Sequence, residues 1–108
     1  MFAREIHIQL KPNVLNEFTT MLEKEVVPIL RKQAGFRDEI VFSLDGTNTV
    51  NAISLWDTKE HAEAYANSAY AGIVKTFEKF VDGTPKVRAL TVINSTAHKL
   101  TMASVIAA

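Results

Sequence analysis

The chain has 108 residues, 47% apolar and 22% charged, which is the size and balance of one soluble globular domain. Twelve basic and twelve acidic residues cancel to a net charge of zero, so the chain lacks the strongly basic character typical of nucleic-acid-binding proteins. It contains no cysteine, which excludes disulfides, thiolate catalysis and cysteine-ligated metal or iron–sulfur sites.

The first predicted element is a strand over residues 2–10, where apolar and polar side chains alternate. The apolar face carries Phe2, Ile6, Ile8 and Leu10, and the polar face carries Glu5, His7 and Gln9. A period of two residues is that of a strand with one face on a core. Lys11-Pro12 ends the strand, and Asn13 is the predicted N-cap of the next element.

An amphipathic helix is predicted next, because apolar residues recur every three or four positions from Val14 to Leu30. Gly35 supplies a left-handed residue that ends it. Pro28 lies inside this pattern, where it cannot donate a backbone hydrogen bond and clashes with the carbonyl group of Lys24. We therefore expect one kinked helix rather than two helices.

Two strands, residues 36–44 and 49–56, follow as a hairpin around Asp45-Gly46-Thr47-Asn48. We expect the apolar even-numbered residues of the first of them to face the helices: Phe36, Ile40, Phe42 and Leu44. The polar odd-numbered residues would then lie beside the polar face of the first strand: Arg37, Glu39 and Ser43. Such a face is solvated in a monomer, whereas in a dimer its charges have to pair.

A second helical region begins at Asp57, which with Glu60 resembles a capping box, and is interrupted at Asn67-Ser68. An apolar stripe from Tyr70 to Val81 continues it, and residues 87–94 form the predicted fourth strand. The order β-α-β-β-α-β predicts a ferredoxin-like α+β domain over residues 1–94. Residues 95–108 form a C-terminal extension that either continues the last strand towards a partner or, from residue 102, is a loose tail.

Three segments together resemble the antibiotic-biosynthesis-monooxygenase-type (ABM) domain of the dimeric α/β-barrel superfamily. They are Trp56-Asp57-Thr58-Lys59-Glu60-His61-Ala62-Glu63-Ala64-Tyr65, Val26-Val27-Pro28-Ile29-Leu30-Arg31 and Ala34-Gly35-Phe36. With the surrounding elements the resemblance spans residues 2–94. It implies a four-stranded antiparallel sheet and a homodimer that packs sheet against sheet. Some members of the family are cofactor-independent monooxygenases of phenols or quinols, and others degrade haem.

The positions that carry chemistry in such relatives differ here. An Asn, a Trp and a His of haem-degrading relatives correspond to Ile6, Tyr65 and Lys75, so the resemblance disfavours haem degradation. An Asn of quinone-forming relatives corresponds to Ala52, and the neighbouring Asn51 belongs to the opposite face of its strand. Many members also carry His where this chain has Tyr65. The scaffold therefore matches better than the chemistry.

The candidate catalytic residues are three proton-handling groups, His7, Tyr65 and Tyr70, and the candidate substrate-binding residues are Trp56, Asn51, Phe77 and Ile73. Two structural alternatives stay open: Trp56 as a large core residue and His7 as a hydrogen-bonding strand residue. The dispersed histidines give no metal-binding spacing, and the isolated glycines form no phosphate loop. We predict neither a metal nor a cofactor.

The leading functional hypothesis is a cofactor-independent oxygenase of a small aromatic or apolar metabolite. The alternative is a non-catalytic dimer that binds a small apolar ligand or acts in stress. An RNA-binding role is disfavoured, because the first strand offers Ile6, His7 and Ile8 rather than exposed aromatic rings. We expect a cytoplasmic protein without membrane contact, since the N-terminal residues lack a signal-peptide pattern and no apolar run approaches about 20 residues.

Overall fold

The computed structural model describes residues 1–100 and has the predicted order of elements. These are β1 (Phe2–Gln9), α1 (Leu15–Met21), a π-helical turn (Leu22–Val26), α2 (Val27–Arg31), β2 (Phe36–Ser43), β3 (Thr49–Trp56), α3 (Lys59–Ala66), α4 (Tyr70–Phe77), a 3-10 turn (Glu78–Phe80) and β4 (Lys86–Thr91). The strands form one antiparallel sheet in the order β2-β3-β1-β4. The ferredoxin-like α+β fold is confirmed. Within residues 1–100, no helix has the length and apolarity needed to cross a membrane.

The helices pack on one side of the sheet, which we call the inner face, and the opposite side is the outer face. β3 shows the alternation most clearly, because its even-numbered residues are buried on the inner face and its odd-numbered residues are only half-buried. Phe18 of α1 meets Phe77 and Phe80 edge-on in the core, with ring centroids 6.2 and 6.1 Å apart. Burial of these apolar surfaces is the main force that holds the helices on the sheet.

The predicted orientation of β2 is wrong beyond its first residue. Phe36 lies opposite Trp56 on the inner face, but a β-bulge between Phe36 and Asp38 inserts one extra residue into the strand. From there the alternation is inverted. Ile40 and Phe42 therefore lie on the outer face, opposite Ile53 and Asn51, where they are 56% and 51% exposed.

The inverted alternation moves Glu39 as well. This carboxyl group lies opposite Ser54, a buried inner-face residue of β3, and so belongs to the helix side of the sheet. Arg37, the extra residue of the bulge, forms an ion pair with Asp57 at the end of β3. The sequence pattern predicted that both side chains lie beside the polar residues of β1. That prediction is wrong for both.

The first helical segment does not break, but its hydrogen-bond pattern changes from α-helical to π-helical and back. The π-helical turn Leu22–Val26 ends two residues before Pro28, and Leu22 and Val27, at its two boundaries, keep helical backbone angles. A π-helical turn widens the backbone by one residue, which relieves the clash between the proline ring and the preceding turn. The prediction of one helix rather than two is confirmed, because the chain is helical without a gap from Leu15 to Arg31, and the kink stays a prediction.

Two predicted helix caps are displaced by one residue. Asn13 has a left-handed backbone, with φ of 62°, and the N-cap of α1 is Val14 without a capping side chain. At α3 the cap is Thr58, whose Oγ1 accepts a hydrogen bond of 3.1 Å from the backbone N–H of His61. Asp57 pairs with Arg37 instead and leaves the cap to its neighbour.

The C-terminal extension does not continue β4, which ends at Thr91. The imidazole ring of His98 contacts the carboxylate of Asp38 on β2, at the sheet edge opposite β4. Residues 92–98 therefore run from one edge of the sheet to the other. The predicted loose tail, from residue 102, lies outside the described residues, and the division of the chain at residue 94 stays a prediction.

Candidate functional site

A buried cation marks the inner face. Arg4 follows Phe2 on the inner face of β1 and is only 6% exposed. Its Nε is buried and has no hydrogen-bond partner among residues 1–100. The guanidinium carbon lies 4.5 Å from the centroid of the Tyr70 ring and 5.3 Å from that of Tyr65. Since arginine stays charged in proteins, two aromatic faces stabilise a cation that lacks a full set of polar partners.

The aromatic cluster extends from this cation into the core. Tyr65 stacks on Trp56, with ring centroids 4.8 Å apart and an angle of 27° between the planes. Phe36 meets Trp56 edge-on at 5.5 Å, and Tyr70 meets Tyr65 edge-on at 5.9 Å. Trp56 has no exposed surface, and its indole N–H donates a hydrogen bond of 2.9 Å to Ser54 Oγ. Trp56 is thus a core residue, and it contributes to the site by packing against Tyr65.

A carboxyl group belongs to the same sheet face. Glu39 pairs with Ser54 and Ser54 pairs with Arg4, so the three form one row across β2, β3 and β1. Burial raises the pKa of Glu39 from 4.5 to about 7. The group is therefore near its midpoint of ionisation at neutral pH, where it can both accept and release a proton.

The two tyrosines remain neutral at physiological pH. Burial raises the pKa of Tyr65 far above its usual range, which outweighs the opposing effect of Arg4, and Glu39 and Tyr70 act in the same direction as burial. Burial also raises the pKa of Tyr70, again against Arg4. Their hydroxyl groups can serve as hydrogen-bond donors and acceptors but not as phenolate bases.

Two cavities adjoin this cluster. The Arg4 cavity, of about 190 Å³, lies between β1, β4 and α3 and is lined by Arg4, Lys59, Glu63 and five apolar residues: Phe2, Ala62, Ala66, Val87 and Ala89. The Glu39 cavity, of about 300 Å³, lies between β2 and the helix around Pro28, with Glu39, Leu30 and Phe36 among its lining residues. The inner-face cluster, formed by Arg4, Glu39, Trp56, Tyr65 and Tyr70, thus reaches a cavity on each side.

His7 and Asn51 lie together on the other side of the sheet. His7 Nδ1 and Asn51 Oδ1 are 2.9 Å apart, on neighbouring positions of β1 and β3. The adjacent polar side chains of β1 have cross-strand partners too: Arg88 Nε donates to Glu5 Oε1 at 2.7 Å, and Thr49 Oγ1 donates to Gln9 Oε1 at 3.0 Å. The sheet therefore separates these two predicted site residues from Tyr65 and Tyr70.

The other predicted substrate-binding residues, Ile73 and Phe77, belong to α4 and are buried in the hydrophobic core of the protein. Phe77 packs edge-on against Phe18 rather than in the Trp56–Tyr65 stack. Of the seven predicted site residues, the structure therefore brings together Trp56, Tyr65 and Tyr70. No group of three or more acidic or histidine side chains within residues 1–100 is arranged to hold a metal ion.

The sequence prediction missed Arg4 and Glu39. A signal for Arg4 was present, because it occupies an even-numbered position between Phe2 and Ile6 on the apolar face of a strand. A charged residue there requires a partner or a function. The inward position of Glu39 depends on the bulge, for which the sequence carries no comparable signal.

The sequence profile described as antibiotic biosynthesis monooxygenase matches residues 1–81 of the 108. The chain belongs to the antibiotic biosynthesis monooxygenase family. No match was found among curated proteins.

Several solved structures have the same fold. The Streptomyces coelicolor monooxygenase from the gene ActVA-Orf6, in complex with nanaomycin D, is 14% identical with a TM-score of 0.74, covering 87% of this chain and 88% of that chain. A variant of SnoaB, a cofactor-independent oxygenase from Streptomyces nogalater, is 14% identical with a TM-score of 0.70, covering 90% and 97%. The NE2512 protein from Nitrosomonas europaea, of unknown function, is 14% identical with a TM-score of 0.73, covering 93% of each chain. At this level of identity the likeness establishes the fold alone.

Proposed function

We propose that this protein is a cofactor-independent monooxygenase of a small aromatic hydroxyl compound, and that the reaction takes place at the inner-face cluster. The observation that carries the proposal is the presence, on one sheet face, of a buried cation, Arg4, whose Nε has no hydrogen-bond partner within residues 1–100, and a carboxyl group, Glu39, whose pKa is about 7. The carboxylate form of Glu39 accepts the proton that the substrate loses, through an intervening side chain. The guanidinium group stabilises the negative charge that remains on the substrate oxygen.

The reaction balances without a cofactor. A phenol and O₂ give a quinone and water: one oxygen atom becomes the new carbonyl group, and the other leaves as water. The four electrons that O₂ requires come from the substrate ring, once loss of the hydroxyl proton has made it electron-rich. The protein has to bind the substrate, remove that proton and keep bulk water from the reacting atoms.

Tyr65 is the group we assign to relay the proton. Arg4 and Glu39 both lie near enough to affect its pKa, and it remains neutral, so its hydroxyl can accept one proton while it donates another. The ring of Tyr70, whose centroid is 4.5 Å from the guanidinium carbon, adds a second aromatic contact that helps to position Arg4. The proposal assigns no step to His7 or Asn51, which bond to each other on the outer face.

We also propose that two copies associate through their outer faces. This face exposes Ile40 and Phe42, two large apolar side chains for which burial against a partner is favourable. The polar side chains of β1 on this face already have cross-strand partners, such as Arg88 for Glu5, so burying them would leave few charges unpaired.

A second candidate, ligand binding without turnover, is favoured by one observation. The position that holds an Asn in quinone-forming relatives is Ala52 here, and the neighbouring Asn51 is on the outer face. A buried cation such as Arg4 would serve a ligand-binding protein as well as an enzyme. Oxygen consumption distinguishes the two candidates.

The test is oxygen uptake with simple phenols, hydroquinones and naphthols, together with incorporation of labelled O₂. We expect one labelled oxygen atom in each quinone formed from a phenol, and a loss of about 100-fold in kcat for Glu39→Gln. His7→Ala on the outer face is the matched control and should keep the wild-type rate. Absence of uptake with every compound, or an unchanged rate in Glu39→Gln, would contradict the proposal.

A further inference from the structure

We infer that the Arg4 cavity binds a single-ring aromatic compound that carries an anionic oxygen, a phenolate or a carboxylate, which pairs with the guanidinium group of Arg4. The inference deepens the proposed function and rests on it only for the statement that the bound compound is the substrate. The binding itself follows from the charge, size and walls of the cavity.

The charge balance of the cavity favours an anion. Among its described lining residues only three carry charge, Arg4, Lys59 and Glu63. Lys59 and Glu63 lie one helical turn apart on α3, with Nζ and Oε1 separated by 3.9 Å, and largely neutralise each other. The positive charge of Arg4 is left over, and an anionic ligand oxygen would balance it.

The cavity is open to solvent, and its volume indicates the size of the part of a ligand that it can enclose. At about 190 Å³, it is close to an engineered cavity of roughly 150 Å³ that holds benzene, whereas sites for drug-sized molecules start at about 300 Å³. One aromatic ring with one or two substituents fills this space. A fused three-ring compound exceeds it.

The walls suit a flat apolar ring. Three alanines, Ala62 and Ala66 of α3 and Ala89 of β4, leave the gap that a ring would occupy, and Phe2 and Val87 add further apolar lining. Ala89 pairs directly with Arg4 in the sheet, so the gap opens next to the charged group. A ring against these side chains places its oxygen substituent towards the guanidinium group.

Binding can be measured on the whole chain without turnover. The only tryptophan, Trp56, stacks on Tyr65, whose ring lies 5.3 Å from the guanidinium carbon of Arg4, so a ligand at Arg4 should change the tryptophan emission. Benzoate and benzamide form a pair matched in shape but not in charge. We expect benzoate to bind about 10-fold or more tightly than benzamide. Equal affinities would overturn the inference.

A second readout needs no variant. The ionisation of 4-nitrophenol is visible in its absorption spectrum, and a neighbouring guanidinium group favours the phenolate form. We expect the bound compound to ionise at a lower pH than the free one. An unchanged ionisation on binding would contradict pairing with Arg4. The tricyclic 9-anthracenecarboxylate tests the size limit, and affinity equal to that of benzoate would overturn it.

Variants assign the effect to one residue. Arg4→Met keeps an unbranched side chain without the charge and should abolish the preference for benzoate, while Arg4→Lys should retain part of it. Lys59→Met removes the other cation of the cavity, which is half exposed and paired, and should change the preference by less than about two-fold. A preference that survives in Arg4→Met would overturn the assignment.

The inference and the proposed function fail separately. Benzoate selectivity through Arg4, together with no oxygen uptake from any phenol, would refute the monooxygenase proposal and leave the anion site established. Oxygen uptake by a protein that binds benzoate and benzamide equally would refute the anion site and leave the monooxygenase proposal standing.

Discussion

Glu39 and Arg4 lie in one row of the inner sheet face, on either side of Ser54. Two strand spacings separate them, or about 10 Å. Arg4 keeps its charge at every physiological pH, whereas Glu39, with a pKa of about 7, is partly protonated near neutrality. The fold therefore holds one permanent buried charge and one group that changes its charge in the working pH range. Both have consequences that can be measured on the folded protein.

The stability of the protein should fall as pH rises through the range in which Glu39 ionises. Its pKa of about 7 in the folded protein exceeds the ordinary 4.5, so between these values the unfolded chain releases the proton first and unfolding is favoured. The interval corresponds to about 3 kcal/mol at most. Glu39→Gln removes this contribution, so it should exceed the wild type in free energy of unfolding above pH 7 and match it near pH 4.

Denaturant unfolding at a series of pH values measures this effect. Glu25→Gln, which replaces an exposed carboxylate in the π-helical turn, is the control and should keep the wild-type pH dependence. An identical pH dependence in Glu39→Gln and the wild type would show that Glu39 is ionised normally. Combined with the expected loss of kcat, a more stable Glu39→Gln would mark Glu39 as a site where stability is lost for activity.

Gly35→Ala should destabilise the protein by about 3 kcal/mol or more. Gly35 has a left-handed backbone with φ of 76°, and a Cβ atom there would lie 2.3 Å from Cγ of His61. Gly46, in the β2–β3 turn, has nearly the same φ of 75°, but a Cβ atom at this position would have no neighbouring atom within 4 Å. Gly46→Ala therefore carries only the backbone cost, about 1 kcal/mol.

The difference between the two glycine variants isolates the clash with His61. Thermal and denaturant unfolding give both values. Replacing His61 by alanine in the Gly35→Ala background should recover only part of the difference, because the ring is removed while the Cβ atom of residue 61 would still lie 2.6 Å from the new Cβ atom. Equal losses in Gly35→Ala and Gly46→Ala would contradict a close packing of His61 on Gly35.

Ser54→Ala should cost about 1–3 kcal/mol, because it leaves the buried indole N–H of Trp56 without its acceptor. The penalty should shrink in a Trp56→Phe background, where no N–H has to be satisfied. A double-mutant cycle on the free energy of unfolding measures this coupling. Additive effects of the two substitutions would show that the hydrogen bond contributes nothing to stability.

The elements of the fold were predictable because each has a local cause. The alternation in β1, the apolar stripe before Gly35 and the turn around Gly46 depend on residues close in sequence, and the structure contains all three elements. The resemblance at Trp56–Tyr65 added the family, which the profile match confirms.

The site was only partly predictable, because it depends on register. A single inserted residue after Phe36 reverses β2, which brings Glu39 to the inner face and exposes Phe42. Sequence alternation alone cannot locate such a bulge. The apolar residues of β2 share one face of the strand whether that face lies towards the helices or away from them. The alternation in β1 places His7 correctly on the polar face of the sheet. It does not show that Tyr65 and Tyr70 lie on the inner side of the sheet, away from His7.

The proposed dimer predicts opposite outcomes for two adjacent residues of β2. Phe42 is 51% exposed on the outer face, whereas Val41, which is 36% exposed, pairs with Ala52 and points to the inner face. Phe42→Glu would place a charge in an apolar contact between two sheets and should shift the protein to a monomer. Val41→Glu adds the same charge one position away and should leave a dimer. Sedimentation equilibrium at several concentrations measures both masses, and a wild-type protein that is monomeric at high concentration, or a Phe42→Glu variant that remains dimeric, would contradict association through this face.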